Sequence, residues 1–518
     1  MSSLLEKLPA ELLDIVLESL SYLDKDDDHE YDTHLTLYCR LSRTSKTLWH
    51  AATPYLYREV RFKKYHRRIS TLARSLCQRP DLASHVHDLT VRPSKLKQTS
   101  PPKPQEIALF QRQIGLLKGH SLYDLLVVAL KSGCTTAVVV VLLTLCTQLR
   151  RLDIAAHDTH HGLSENSESL CRRCPDVLSC LLAIHGSCYP KWRLDKLTEA
   201  MLSGWQSVRP ERGSSYEGIS SVLAAPQLKK LFCNGFGSVA HAYPWVCAPG
   251  TSNVRSLTLN YGNFTTPEVV EILGSCKALR KIKICWTAFK SPPGRQHQAL
   301  PKFDVDTKAL LVALSAHSQT LERIVLTNLR QEGSTFKHQP PFNSLQQFCM
   351  LRTLRIDEAL LISGGSGWQA SSLNRNLPPA LKTLVIHSSL EIESLGDIIM
   401  ACSQYGGTKL TELQITFAPS EELEDDYPDM YRVEGGEDDK TWFLGMMAYG
   451  GCDRAAFRCW EQPMAPLLAA MAESIGENGI QHLLDMQYSE STDSEDGEAV
   501  DDGDPMDEDV DGGDDDEG

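Results

Sequence analysis

Several things are missing from this sequence. No apolar stretch reaches the ~20 residues of a membrane span. The most apolar window, Ala137 to Leu145 (AVVVVLLTL), is closed off by Thr136 and Gln148. The opening MSSLLEKLP brings Glu6 early and has no basic region before a long apolar run, so no secretory signal is expected. The sixteen cysteines follow no framework spacing, which fits reduced thiols rather than a disulfide scaffold. Together these absences lead to the expectation of a cytoplasmic and/or nuclear protein without a membrane partner. Catalytic signatures are missing too. There is no phosphate-cradling glycine loop ending in Lys-Ser or Lys-Thr, no GxSxG elbow, no HExxH and no kinase set. The histidines and carboxylates fall into no catalytic spacing, so the expectation is a non-enzyme with no catalytic residues and no cofactor.

Basic residues are absent from the last thirty positions. Ser489 to Gly518 holds sixteen acidic groups, so the formal charge of -15 belongs to this tail, and the rest carries 51 acidic against 52 basic groups. A run such as DGDPMDEDVDGGDDDEG repels itself and has little apolar surface to bury, so disorder is expected there. Its role is either solubility or capture of a basic partner, with Ser491, Thr492 and Ser494 placed for an acidophilic kinase.

At 518 residues with 42% hydrophobic composition, the chain has room for two or three domains. Its start is unusually apolar. LPAELLDIVLESL, Leu8 to Leu20, is read as a helix, with Pro9 just inside its start and Glu11 following. At ~100° per residue its apolar side chains cover an arc of roughly 200°, whereas docking on one core needs only ~100°. The surplus implies a second surface that covers this helix.

Behind it, the pattern apolar-x-x-apolar-x-apolar recurs nine times. The copies are VHDLTV from Val86, LRRLDI from Leu149, LKKLFC from Leu228, VRSLTL from Val254, LRKIKI from Leu279, LERIVL from Leu321, LRTLRI from Leu351, LKTLVI from Leu381 and LTELQI from Leu410. Each ending has the period of a strand. Helical stretches precede several of them, with Thr265 or Thr266 and Asp306 as expected caps. Units of this kind cannot bury their apolar faces alone and must stack. AVVVVLLTL then reads as a buried helix leading into LRRLDI.

Over residues 85 to 417 the sequence resembles leucine-rich repeat proteins. The first sixty residues resemble the F-box. Leu8, Pro9, Glu11, Leu12, Leu13, Ile15 and Leu20 fit its opening helix, CRLSRTSKTLW supplies Ser42, Ser45 and Lys46, and ATPYLYREVRF looks like its exit. The connection SYLDKDDDHEYDTH separates the first two helices.

The resemblance implies an α/β chain, with a short all-α F-box followed by an irregular leucine-rich repeat solenoid and the disordered acidic tail. The divisions expected are an F-box at 1–62, a helical linker at 63–85, and a solenoid at 86–417 with insertions at 92–148 and 155–227. An acidic loop and capping element at 418–488 and the tail at 489–518 complete the chain. The resemblance also implies a function, that of the substrate-recognition subunit of an SCF-type ubiquitin ligase. The F-box joins a Skp-type adaptor, and through it cullin and RING subunits carry the chemistry. Leu8, Pro9, Leu12, Ile15, Leu20, Leu41, Ser45 and Lys46 are the implied adaptor contacts. A repeat scaffold that uses the F-box only to hold the adaptor is the alternative.

Three further clusters remain open. Cys171, Cys174, Cys180 and Cys188 lie near His157, His160, His161 and His185, and CRRC has zinc half-site spacing. Cys180, however, reads equally as part of a buried helical face, so no metal is expected. The cations from Arg58 to Arg68 suggest either nucleic acid or a solvated linker face, and without an aromatic-rich sheet motif beside them nucleic acid is not expected. In a stacked sheet the polar strand residues point away from the core. This selects Arg151, Asp153, Lys281, Lys283, Arg323 and Arg355 for a protein substrate, with Lys230, Ser256, Thr258, Thr353, Thr383, Glu412 and Gln414 around them. Such a face suits an acidic or phosphorylated segment, or is merely solvated.

Overall fold

The computed structural model describes residues 4–21, 28–62, 67–92, 102–118, 121–155, 194–203, 217–236, 245–262, 264–286, 305–328, 342, 344–361, 376–387, 412–416, 443–449 and 452–459. The Cys171 to Cys188 cluster and the acidic tail lie outside these residues.

Three helices come first: α1 (Ala10–Ser21), α2 (Asp28–Thr44) and α3 (Lys46–Arg58). A short 3-10 turn, Leu4–Lys7, precedes α1. The acidic stretch expected to connect the first two helices is helical from Asp28 on, so the connection shortens to 22–27. Ser45 ends one helix and begins the next, its hydroxyl accepting from the Leu48 amide at 3.2 Å. Leu13 and Leu17, one turn apart on α1, pack with Tyr38, Leu48 and Ala52 into a core of their own. The Tyr38 hydroxyl donates to the Leu17 carbonyl at 2.9 Å, and Tyr38 stacks on Tyr55 at 5.9 Å.

The chain leaves α3 directly into a strand, β1 (Glu59–Phe62). This moves the start of the sheet into the segment expected to close the all-helical unit at 62. Thirteen strands form one sheet. In chain order the next are β2 (Asp88–Val91), β3 (Arg151–Ala155), β4 (Glu199–Ser203), β5 (Lys230–Asn234), β6 (Ser256–Gly262) and β7 (Lys281–Trp286). They are followed by β8 (Arg323–Asn328), β9 (Thr353–Asp357), β10 (Thr383–His387), β11 (Glu412–Thr416), β12 (Phe443–Tyr449) and β13 (Cys452–Cys459).

Spatial order equals chain order as far as β11, and every neighbouring pair up to there is parallel. Beyond it β13 pairs antiparallel with β11, and β12 pairs antiparallel with β13. The segment expected to be an acidic loop and cap therefore holds two paired strands, while the helical-looking 465–486 lies outside the described residues.

All nine hexapeptides form strands, and two more units bring the in-order set to its full length. Parallel neighbours need a long crossover rather than a tight turn, and the helices occupy these crossovers. α4 (Arg67–Gln78) and α5 (Pro80–Ala83) lie between β1 and β2. α6 (Pro104–Gln113), α7 (Ser121–Lys131) and α8 (Thr135–Leu145) lie between β2 and β3. α9 (Glu217–Leu223) precedes β5, α10 (Thr266–Ser275) precedes β7, α11 (Thr307–Ser315) precedes β8, and α12 (Glu358–Leu361) follows β9.

One apolar core runs under the sheet from Val60 to Ile386. It is filled by the first, fourth and sixth hexapeptide positions. In the LRKIKI hexapeptide that forms β7, for example, Leu279, Ile282 and Ile284 are each no more than 1% exposed. α8 is buried along nearly its whole length, as core rather than membrane. Among the described residues no single helix is long and apolar enough to cross a membrane; α7 and α8 pass only jointly, bent by 120°. Gly133, at φ 76°, makes that bend between them.

Helix starts follow the expected caps. The Glu268 carboxylate accepts from the Thr265 amide at 2.7 Å, and the Asp306 carboxylate accepts from the Ala309 amide at 2.9 Å.

Candidate functional site

Two surfaces carry residues that the fold itself does not use. The first is the outer side of α1. Leu12 is 48% exposed, Ile15 62%, Val16 37% and Leu5 36%, whereas Leu13 and Leu17 on the opposite side are 4% and 1%. An apolar stripe with i, i+3, i+4 spacing therefore faces solvent on a helix whose other face is already packed.

Of the implied adaptor contacts, Leu12, Ile15, Pro9 and Lys46 are exposed. Leu8, Leu20 and Leu41 instead pack on the helical unit's own core, half-buried. Leu20 lies three residues after Leu17, on the buried face, and that corrects its placement on the outer one. Ser45 is half-buried and spends its hydroxyl on the helix cap. Leu5, missed in the sequence, extends the outer stripe backwards, and its signal was its spacing of seven from Leu12.

The second surface is the outward face of the sheet. Strand register sets Glu59, Asp88, Arg151, Glu199 and Lys230 in one row across β1 to β5. The row continues through Ser256, Lys281, Arg323, Thr353, Thr383 and Glu412. Asp153, Lys283, Arg355 and Gln414 belong to the row two residues further along.

The predicted substrate residues thus share one face but form two groups. From β2 to β5 the signs alternate and pair off. Arg151 lies 3.7 Å from Asp88 and 3.9 Å from Glu199, and Lys230 lies 3.6 Å from Glu199. Asp153 accepts from Arg92 at 2.8 Å. At β7 and β8 the alternation stops, and exposed Lys281 stands directly beside exposed Arg323.

Nearby, Arg355 donates to the His387 ring nitrogen Nε2 at 2.6 Å. Burial, and then the Arg355 charge, push His387 down to about 3, so the ring is neutral and accepts. The face is not open throughout, since Val325 and Val385 on the outward rows are 3% and 8% exposed.

A further set of cations escaped the sequence reading, although six of the nine hexapeptides display it. The second position reads His87, Arg150, Lys229, Arg255, Arg280, Glu322, Arg352, Lys382 and Thr411. Its backbone forms a ladder just ahead of the strands: Arg255 N donates to Lys229 O at 2.8 Å, Arg280 N to Arg255 O at 2.8 Å, and Lys382 N to Arg352 O at 2.8 Å. The side chains of Arg150, Lys229, Arg255, Arg280, Arg352 and Lys382 are exposed. They form a basic rim along the starts of the strands.

The Arg58 to Arg68 cluster is partly neutralised, with Arg58 3.9 Å from Glu18 and Arg61 bonded to Glu59. Lys63 and Lys64 lie outside the described residues. Among the described residues no cluster of metal-ligating side chains occurs.

Comparison with protein-family models and with curated proteins returns no match to this sequence.

Proposed function

We propose that this chain is a non-catalytic substrate receptor of an SCF-type ubiquitin ligase. In this reading the three N-terminal helices are an F-box that docks a Skp-type adaptor. The in-order parallel units are an irregular leucine-rich repeat solenoid that holds a protein substrate on its outward face. The observation that carries the proposal is the apolar stripe Leu5, Leu12, Ile15 and Val16, open on a helix whose inner face is already packed.

Amphipathic helices with such anchors lie in hydrophobic grooves of partner proteins. The join to the sheet also supports the reading. α3 passes into β1 without a linker, and the Arg79 guanidinium lies 5.7 Å over the Trp49 ring. A partner held on α1 is thereby kept at a set position relative to the strand face.

The test is affinity purification of the tagged full chain. Recovery of both the adaptor and a cullin is expected. Adaptor without cullin would favour the repeat scaffold instead, and recovery of neither would overturn both readings.

A further inference from the structure

The basic rim is a costly arrangement that the fold does not require. From the second position of each unit the fold takes only the backbone amide and carbonyl of the ladder. Any polar side chain serves there, as half-buried Thr198 does ahead of β4. Yet Lys229, Arg255 and Arg280 follow one another on adjacent strands, ~4.8 Å apart. Like charges directly opposite one another destabilise a sheet. Of these three, Arg280 alone has a carboxylate within reach among the described residues, Glu322 at 3.7 Å. The next position repeats the bias with Lys281 and Arg323, both exposed.

The shape of the rim selects its ligand. From β5 to β10 it runs five strand steps, ~24 Å, as a line rather than a cluster. It is broken in the second position by Glu322 at β8, where the exposed Arg323 next to it supplies the cation. A single phosphate spans only a step or two of such a line. An extended polypeptide with carboxylates every one or two residues, ~3.3 to 7 Å apart, follows it throughout. Neither of the two positions is aromatic in any unit from β3 to β10, so single-stranded nucleic acid finds no stacking platform there.

The chain carries a polypeptide of this kind. Residues 489–518 hold sixteen acidic groups and no basic one. The thirty residues 460–489, between the end of β13 and the first tail carboxylate at Glu490, reach up to ~100 Å when extended. β5 is seven strand steps from β13, ~34 Å. Tethering on this scale supplies millimolar effective concentration, on the order of what a set of weak charge pairs needs.

We propose that the basic rim from β5 to β10 is the docking surface for the chain's own acidic C-terminal segment, residues 489–518. An acidic segment of another protein reaches the rim only by displacing this one. The proposal is independent of the adaptor reading, because it makes no use of α1.

Zero-length carbodiimide cross-linking of the full chain at low salt tests it, with an equimolar mix of isotope-labelled and unlabelled chains. The expected result is tail carboxylates joined to Lys229, Lys230, Lys281 and Lys382 within one chain. Exposed Lys118, Lys131 and Lys308, away from the rim, should be far less joined. At 0.5 M salt, where screening acts within about 4 Å, the rim products should disappear. Arg255→Glu with Arg352→Glu keeps every lysine and changes two exposed side chains; it should reduce the rim products roughly fivefold or more. The melting temperature of this variant checks that it is folded. Tail products spread evenly over all lysines, products joining labelled to unlabelled chains, or no tail products would each overturn the proposal.

Discussion

Replacing Leu12 and Ile15 together by aspartate separates docking from folding. The two side chains keep 48% and 62% of their surface in water, so the helical unit does not depend on burying them. Exposed substitutions usually change stability by within about 0.5 kcal/mol, and aspartate inside a helix costs a few tenths more. A partner that covers the remaining surface gains from it. Full burial of a leucine or isoleucine is worth ~1.5 to 3 kcal/mol, so completing the burial of these two contributes about 2 to 3 kcal/mol. Losing that weakens binding roughly 30- to 140-fold, at 1.4 kcal/mol per factor of ten. Two carboxylates forced into an apolar groove weaken it further. Titration of purified adaptor by calorimetry reads the affinity, and circular dichroism reads the helices. A folded double variant that binds the adaptor as tightly as the parent would refute the docking role of α1, and with it the F-box reading.

The inner face of the same helix should behave in the opposite way. Leu17→Ala empties a position that is 1% exposed and should cost about 2 to 5 kcal/mol in the helical unit, read by urea unfolding. Stability should also fall on acidification. Burial lowers His317 from its ordinary 6.5 although its ring bonds to the Leu273 carbonyl at 3.1 Å, and burial lowers His387 to about 3. Both take up protons less readily in the fold than in the unfolded chain, so the stability they contribute is present above about pH 6.5 and declines as pH falls below it. Urea midpoints at pH 7.5 and 5.5 should differ in that direction, and His317→Gln should lessen the difference. Thiol labelling of the native chain at neutral pH should reach exposed Cys349 and spare Cys146 and Cys276, whose thiols burial pushes up to about 12. Equal labelling of the buried pair would contradict their packing.

The strands were legible because burial dictates their pattern. At Leu228, Leu279, Leu321, Leu351 and Leu381 the side chain is completely enclosed, and only large apolar residues fill such a position. Two units escaped for reasons of size. β1 follows the same spacing as Tyr57, Val60 and Phe62, with aromatics at its two ends. β4 follows it as Leu197, Ala200 and Leu202, where a small alanine takes the middle place. The final antiparallel pair was missed for another reason: its tight register, Tyr449 opposite Cys452, is a local turn signal that a search for a repeat of about thirty residues passes over.

Both candidate surfaces are places where the residues depart from what the fold alone demands. Solvent-facing positions on a helix are ordinarily polar, yet Leu12 and Ile15 are apolar on a helix already anchored by Leu13 and Leu17. Ladder positions ahead of a strand ordinarily tolerate any polar residue, yet Lys229, Arg255 and Arg280 stack like charges on successive strands. Each departure costs solubility or stability, and each becomes favourable only when something covers it. The two costs differ in kind, and so must their partners: the apolar stripe asks for a groove that excludes water, and the rim asks for negative charge spread along a line. Salt therefore tells them apart, since raising it should release what the rim holds while leaving or strengthening what α1 holds.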